Sequence, residues 1–158
     1  MLRRIRPAGL VLLLLLPLVV VLSSAVGCPK DPYTASMAGS DGVSNAVADA
    51  LSALPNLTSQ QILDVSQQRA FLTRCSQVTS GNQSFRAAVL KIHQSGAKGS
   101  AQYIVAAQAF VQATTTQQVG QLPPTAQIFL EGIDTAITSI EVAISNSKGA
   151  TPAGKGGQ

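Results

Sequence analysis

Two cysteines, one histidine and three late carboxylates are the side chains best suited to covalent or acid–base chemistry in this chain. In an oxidising compartment Cys28 and Cys75 would usually pair. Such a bridge would close a loop of about 47 residues and be worth about 4 kcal/mol on the chain-entropy model, before any strain. Cys75 has no neighbouring activating motif, so a nucleophilic role lacks local support. His93 sits beside Lys91 with no carboxylate at helical spacing, and it reads as a solvated side chain rather than a general base. As a haem or metal ligand it would need partners from elsewhere. Glu131, Asp134 and Glu141 fall near one helical face, where paired carboxylates can move a proton or hold a cation. No Gly-bearing loop or third ligand accompanies them, and the solvent-facing stripe of an amphipathic helix accounts for them. Zinc-ligand spacing, a nucleophile elbow and a Gly-rich loop after a strand are all missing from the sequence. The expectation is a non-enzyme with no metal or cofactor.

The compartment is read from the first 28 residues. Arg3, Arg4 and Arg6 precede the apolar run Leu10 to Leu22, and the small residues Ser23-Ser24-Ala25-Val26-Gly27 lead to Cys28. That order is a secretory signal peptide over 1–27, with Ala25 and Gly27 small enough for the peptidase. Pro17 disfavours a stable membrane helix. Ala8 to Val26 nevertheless approaches the roughly 20 residues that span a bilayer, so an uncleaved anchor with the bulk outside is the alternative to cleavage.

Ala25-Val26-Gly27-Cys28 also resembles the lipobox of bacterial lipoproteins. It departs from that pattern at Ala25, where Leu is usual, and Pro29 is an uncommon follower. The resemblance covers these four residues and implies that Cys28 is acylated and becomes the first residue of the mature chain. Several acyl chains hold a protein at a membrane far better than one. Lipid and disulfide at Cys28 exclude each other, and acylation would leave Cys75 free, buried or intermolecular.

Two sequons, Asn56-Leu57-Thr58 and Asn82-Gln83-Ser84, fall where interhelix corners are expected and could accept glycans in a eukaryotic export pathway. In a chain this rich in Ser and Thr such triplets also arise by chance, and Asn82 doubles as a helix N-cap.

The pI of 9.4 and net charge of +4 overstate the basicity of the mature protein. Three of the eleven basic residues lie in the signal, which leaves eight against seven acids. Bulk charge then gives nucleic-acid binding no support. Arg69, Arg74, Arg86, Lys91 and Lys98 gather in one stretch and read as a solvated face. Aromatic residues make up 4% of the chain and Trp is absent, so stacking platforms for bases or sugars are poorly supplied.

The elements that must position these residues all read as helices. Residues 28–40 read as an extended leader and 41–149 as one helical domain. Asp41 caps a first helix with Val43, Val47, Ala50, Leu51 and Leu54 on one face, stopped by Pro55. Thr58 and Gln61 fit a capping box opening a second helix that runs to about Val78. Ser80-Gly81-Asn82 breaks the chain, and Phe85, Ala88, Val89 and Ile92 mark a short third helix ended by Gly96 and Gly99. A fourth spans about 101–119, with a polar face of Gln and Thr. The last begins at Pro123-Pro124 and carries Phe129, Ile133, Ala136, Ile137, Ile140 and Ile144 to Lys148 and Gly149. Gly132 inside it suggests a close helix crossing, and 150–158 reads as a disordered tail. The fold class is all-α: an up-and-down bundle of four to five helices.

Three functions are compatible with this reading. The first is a secreted binding protein whose helices enclose a small apolar molecule. The second is a secreted effector or inhibitor that meets an extracellular protein through the Gln/Thr-rich helix. The third is a cell-envelope lipoprotein acylated at Cys28. Membrane contact is expected only with acylation at Cys28 or an uncleaved signal.

Overall fold

The computed structural model describes residues 31–115 and 122–147. Among the described residues there are four helices and no strand: α1 (Pro32–Ser59), α2 (Val65–Gln94), α3 (Ala101–Thr115) and α4 (Pro124–Ser145). The stretch 1–27 that reads as a signal peptide, Cys28 and the tail 150–158 lie outside the described residues. No described helix is long and apolar enough to cross a membrane.

Each helix packs against the next, and α1 closes the ring against α4, which makes an antiparallel, up-and-down arrangement. The core is drawn from one stripe per helix. Val43, Val47, Ala50 and Leu57 face inward from α1, and Phe71, Val78, Phe85 and Val89 from α2. Tyr103, Ala107 and Phe110 come from α3, and Leu130, Ile133, Ile137, Ile140 and Ile144 from α4. Spacings of three, four and seven keep each set on one face. The rings of Phe85 and Phe110 stack with centroids 5.4 Å apart and fasten α2 to α3.

The helix boundaries differ from the expected ones for physical reasons. The leader does not stay extended to residue 40: α1 begins at Pro32. The Asp31 carboxylate accepts from the Thr34 amide at 2.9 Å, and Pro32 sits where a missing N–H costs nothing. Pro55 does not stop α1, which continues to Ser59. Pro55 and Leu51 are both exposed, so water can serve the Leu51 carbonyl that loses its amide partner, while the next turn buries Leu57. The capping box that opens α2 is Asp64 with Gln67, not Thr58 with Gln61.

Ser80-Gly81-Asn82 is not a break, and the two helices expected around it are one helix of 30 residues. Gly81 lies against α3, where an added Cβ would come within 3.0 Å of Phe110 Cε2 and Thr114 Cγ2. The close crossings therefore occur at Gly81 and at Gly39, whose Cβ would meet Ile140 Cγ1 at 2.8 Å. Gly132 is not one: a Cβ there would meet nothing within 4 Å.

Candidate functional site

Cys75 lies on the α1-facing side of α2, is 1% exposed and carries a free thiol. Burial pushes this thiol above its ordinary value, partly offset by the Arg74 charge next to it. A raised, buried thiol is a poor nucleophile at neutral pH. Outside it runs a shallow groove of about 360 Å³, lined by Leu51 of α1 and by Leu72, Ser76, Thr79, Ser80 and Gln83 of α2. Leu51 and Leu72 are each 40% exposed, so the groove offers apolar walls and hydroxyl-bearing rims. Its size suits a small molecule, although it is open along one side where ligand pockets usually enclose. Leu51 was expected on a core face; it borders this groove instead.

Deeper between α1 and α2 lies a polar cluster. The Asn82 Nδ2 donates to the Ser40 carbonyl at 2.9 Å and to Ser44 Oγ at 3.0 Å, while Ser40 Oγ donates to Asn82 Oδ1 at 2.9 Å. Arg86 joins it, donating to Ser40 Oγ at 3.3 Å and pairing with Asp41 at 2.5 Å. Asn82 is therefore neither an N-cap nor a surface acceptor. It is 4% exposed, and the nitrogen that a glycan would occupy is already committed to α1. Asn56 is different. It stands exposed in the last turn of α1, where its carbonyl accepts from the Gln60 amide and the Ser59 hydroxyl.

Arg74 is the one member of the basic stretch that the structure buries, at 4% exposure. It crosses the bundle to Asp134 on α4, Nη2 to Oδ1 at 2.6 Å, and its Nη1 donates to the Thr114 carbonyl near the end of α3. The carboxylates expected along one face thus have separate partners. Asp134 is held by Arg74, Glu141 accepts from Gln108 of α3 at 2.9 Å, and Glu131 is exposed. Among the described residues no three metal-ligating side chains converge. The Arg74 role was missed by the sequence reading. Its only linear trace is that Arg74 sits three residues after buried Phe71 and four before Val78, on the buried face.

His93 is exposed at the C-terminal end of α2, with its ring stacked on Tyr33 at the start of α1, centroids 4.0 Å apart. Nearby, hydrogen bonds from the Thr34 amide and hydroxyl hold the Asp31 carboxyl below its ordinary value, and burial raises that of the Tyr103 hydroxyl. This end of the bundle gathers the start of α1, the end of α2, the start of α3 and the end of α4.

That geometry fixes how far Asp31 is from Cys75. Ser40 meets Asn82 between antiparallel helices. Asp31 lies nine residues from Ser40 in one direction and Cys75 seven from Asn82 in the other. At about 1.5 Å rise per residue, Asp31 and Cys75 are about 24 Å apart along the bundle axis. Cys28 lies outside the described residues, but its tether to Asp31 spans at most about 11 Å. A disulfide needs Cα atoms within about 7 Å. Tether and bridge together reach about 18 Å. The end of α1 from which Cys28 continues thus lies far along the bundle from Cys75, and no disulfide is formed among the described residues, where Cys75 is free.

The chain matches no protein-family model, no curated protein and no solved structure.

Proposed function

We propose that this is an exported helical-bundle protein held at a membrane surface by acyl chains on Cys28, and that it works by binding rather than catalysis. The carrying observation is the separation of Asp31, at the start of α1, from Cys75, which disfavours an intramolecular Cys28–Cys75 bridge and so supports acylation of Cys28 in the lipobox-like Ala25-Val26-Gly27-Cys28. Asp31, the cap of α1, lies three residues after Cys28, so acyl chains there would hold the bundle by the end at which α1 starts. The carboxylates favour a non-catalytic reading too: Asp134 and Asp41 tie helices together.

The test is fractionation of cells expressing the full chain, followed by an alkaline wash of the membranes. The native protein stays with the membranes and leaves them only in detergent, while the Cys28→Ser protein is recovered in the soluble fraction. Native protein released by the wash alone contradicts the anchor.

The groove beside Cys75 supports a second reading, in which the tethered domain takes up a small apolar molecule between Leu51 and Leu72. Organic extraction of protein purified without detergent should release a stoichiometric apolar compound that the Leu51→Gln/Leu72→Gln variant lacks. An empty native protein removes this reading.

A further inference from the structure

We infer that the outer face shared by α1 and α2 binds a second copy of this chain, with the two copies running antiparallel. Among the described residues seven large apolar side chains stand exposed, and four of them share this face: Leu51 of α1 and Val65, Leu72 and Leu90 of α2. Spacings of 7 and 18 residues along α2 are two and five helical turns, so Val65, Leu72 and Leu90 form one straight stripe. The stripe is distinct from the core side of α2, which Phe71, Val78, Phe85 and Val89 occupy. Between its apolar ends it turns to Ser76, Thr79 and Gln83, which with Leu51 and Leu72 line the groove over Cys75. Exposed apolar side chains gathered on one face mark a partner site. This contact is independent of an anchor on Cys28, and it fills the groove with protein rather than with a small apolar molecule.

The face is complementary to itself. When Val65 is set against Leu90 of an antiparallel second copy, Leu72 falls on Gln83 and Ser76 on Thr79. Each apolar end then meets the opposite end of the other copy, and the polar middle meets itself at the two-fold axis. On α1, Leu51 is level with Leu72, because Ser40 is level with Asn82. It therefore reaches the turn of the second copy that holds Met37, a partly buried apolar side chain. The charges agree with the same register. Lys91, one residue beyond Leu90, comes against the exposed Asp64 of the second copy. Arg69, four residues inside Val65, comes against Arg86 of the second copy, whose partner Asp41 is 62% exposed and can accept from both. Among the described residues neither Lys91 nor Arg69 is paired with a carboxylate of its own chain. A parallel pair would instead set Lys91 beside Lys91 and Arg69 beside Arg69, and like charges in contact suppress that arrangement. The face is also large enough. The 30 residues of α2 extend about 45 Å, and two helices packed about 9 Å apart make a face about 18 Å wide. That is about 800 Å² on each copy, the size of a standard interface.

The test uses the full exported chain carrying Cys28→Ser, so that no acyl group holds copies together. Sedimentation equilibrium should give twice the chain mass, falling to the single mass on dilution. Val65→Gln/Leu90→Gln changes two positions outside the groove lining and should weaken dimerisation about 30-fold or more, with helicity by circular dichroism unchanged. In the Val65→Cys/Leu90→Cys variant, mild oxidation should join position 65 of one copy to position 90 of the other. Within one chain these positions are about 37 Å apart along α2, so that disulfide can only be intermolecular. A single mass at every concentration, a dimer indifferent to the glutamine substitutions, or disulfides joining position 65 to position 65 overturns the inference. A monomer that yields a stoichiometric apolar compound on organic extraction overturns it too, and leaves the groove to that compound. None of these outcomes touches the acyl anchor, which fractionation tests separately.

Discussion

Arg74 Nη2 lies 2.6 Å from Asp134 Oδ1 and joins α2 to α4, two helices that face each other across the bundle without packing together. The pair is asymmetric in burial, with side-chain exposures of 5% for Arg74 and 48% for Asp134. Removing the carboxylate strands a buried guanidinium. Asp134→Asn should therefore lower stability by about 1–2 kcal/mol, less than for a fully buried pair because water reaches the Asp134 side. The Arg86–Asp41 pair is open on both sides, and Asp41→Asn should cost under about 1 kcal/mol. Urea melts compare the two, and equal losses would contradict the assigned difference in burial.

The glycines separate by what stands opposite them. Gly132→Ala gains helix propensity with nothing to displace and should stabilise by up to about 1 kcal/mol. Gly39→Ala gains the same propensity but drives a methyl into Ile140, and the overpacking should leave it about 1 kcal/mol less stable than the native chain. Thermal melts should move in opposite directions; a gain at both positions would show that α1 and α4 are not in close contact.

Acid should loosen the start of α1. The Asp31 carboxyl is held below its ordinary value of 3.8 by the Thr34 amide and hydroxyl. Its folded value is lower than its unfolded value, so the stabilisation is complete above about pH 4 and is lost as pH falls through the lowered value. Asp31→Ala should cost about 1 kcal/mol at neutral pH and nothing once the native carboxyl is protonated. A native-minus-variant difference that persists at the acid end, measured by urea melts across pH, would contradict the cap.

Cys75 should be silent to reagents. Its thiol is buried and pushed up by that burial, so a maleimide at neutral pH should label it only after denaturant is added. Rapid labelling of the folded Cys28→Ser protein would mean that the α1–α2 packing over Cys75 is wrong.

The all-α class and the apolar stripes were legible because each helix repeats its buried residues at spacings of three and four. Ile133, Ile137, Ile140 and Ile144 of α4 show this most plainly, and all four are fully buried. What misled was local turn chemistry overruled by tertiary packing. Ser80-Gly81-Asn82 is a stop signal in isolation, yet Gly81 admits Phe110 and Asn82 finds its partners on α1, 38 and 42 residues away in sequence. Pro55 misled in the same way. The residues nearest a site were readable only in part. Asn56 lies inside the last turn of α1 rather than at a corner, and no linear pattern reveals that Arg74 reaches Asp134 or that Asn82 closes on Ser40. The distance from Asp31 to Cys75 depended on helix register, which periodicity does not specify.

The most direct measurement is the intact mass of the purified mature chain, with non-reducing peptide mapping of its cysteines. The account predicts an N-terminal Cys28 peptide heavier by its acyl groups and a Cys75 peptide with an unmodified thiol. A peptide in which Cys28 and Cys75 of one chain are joined by a disulfide would contradict the register of α1 on α2 and the anchor together.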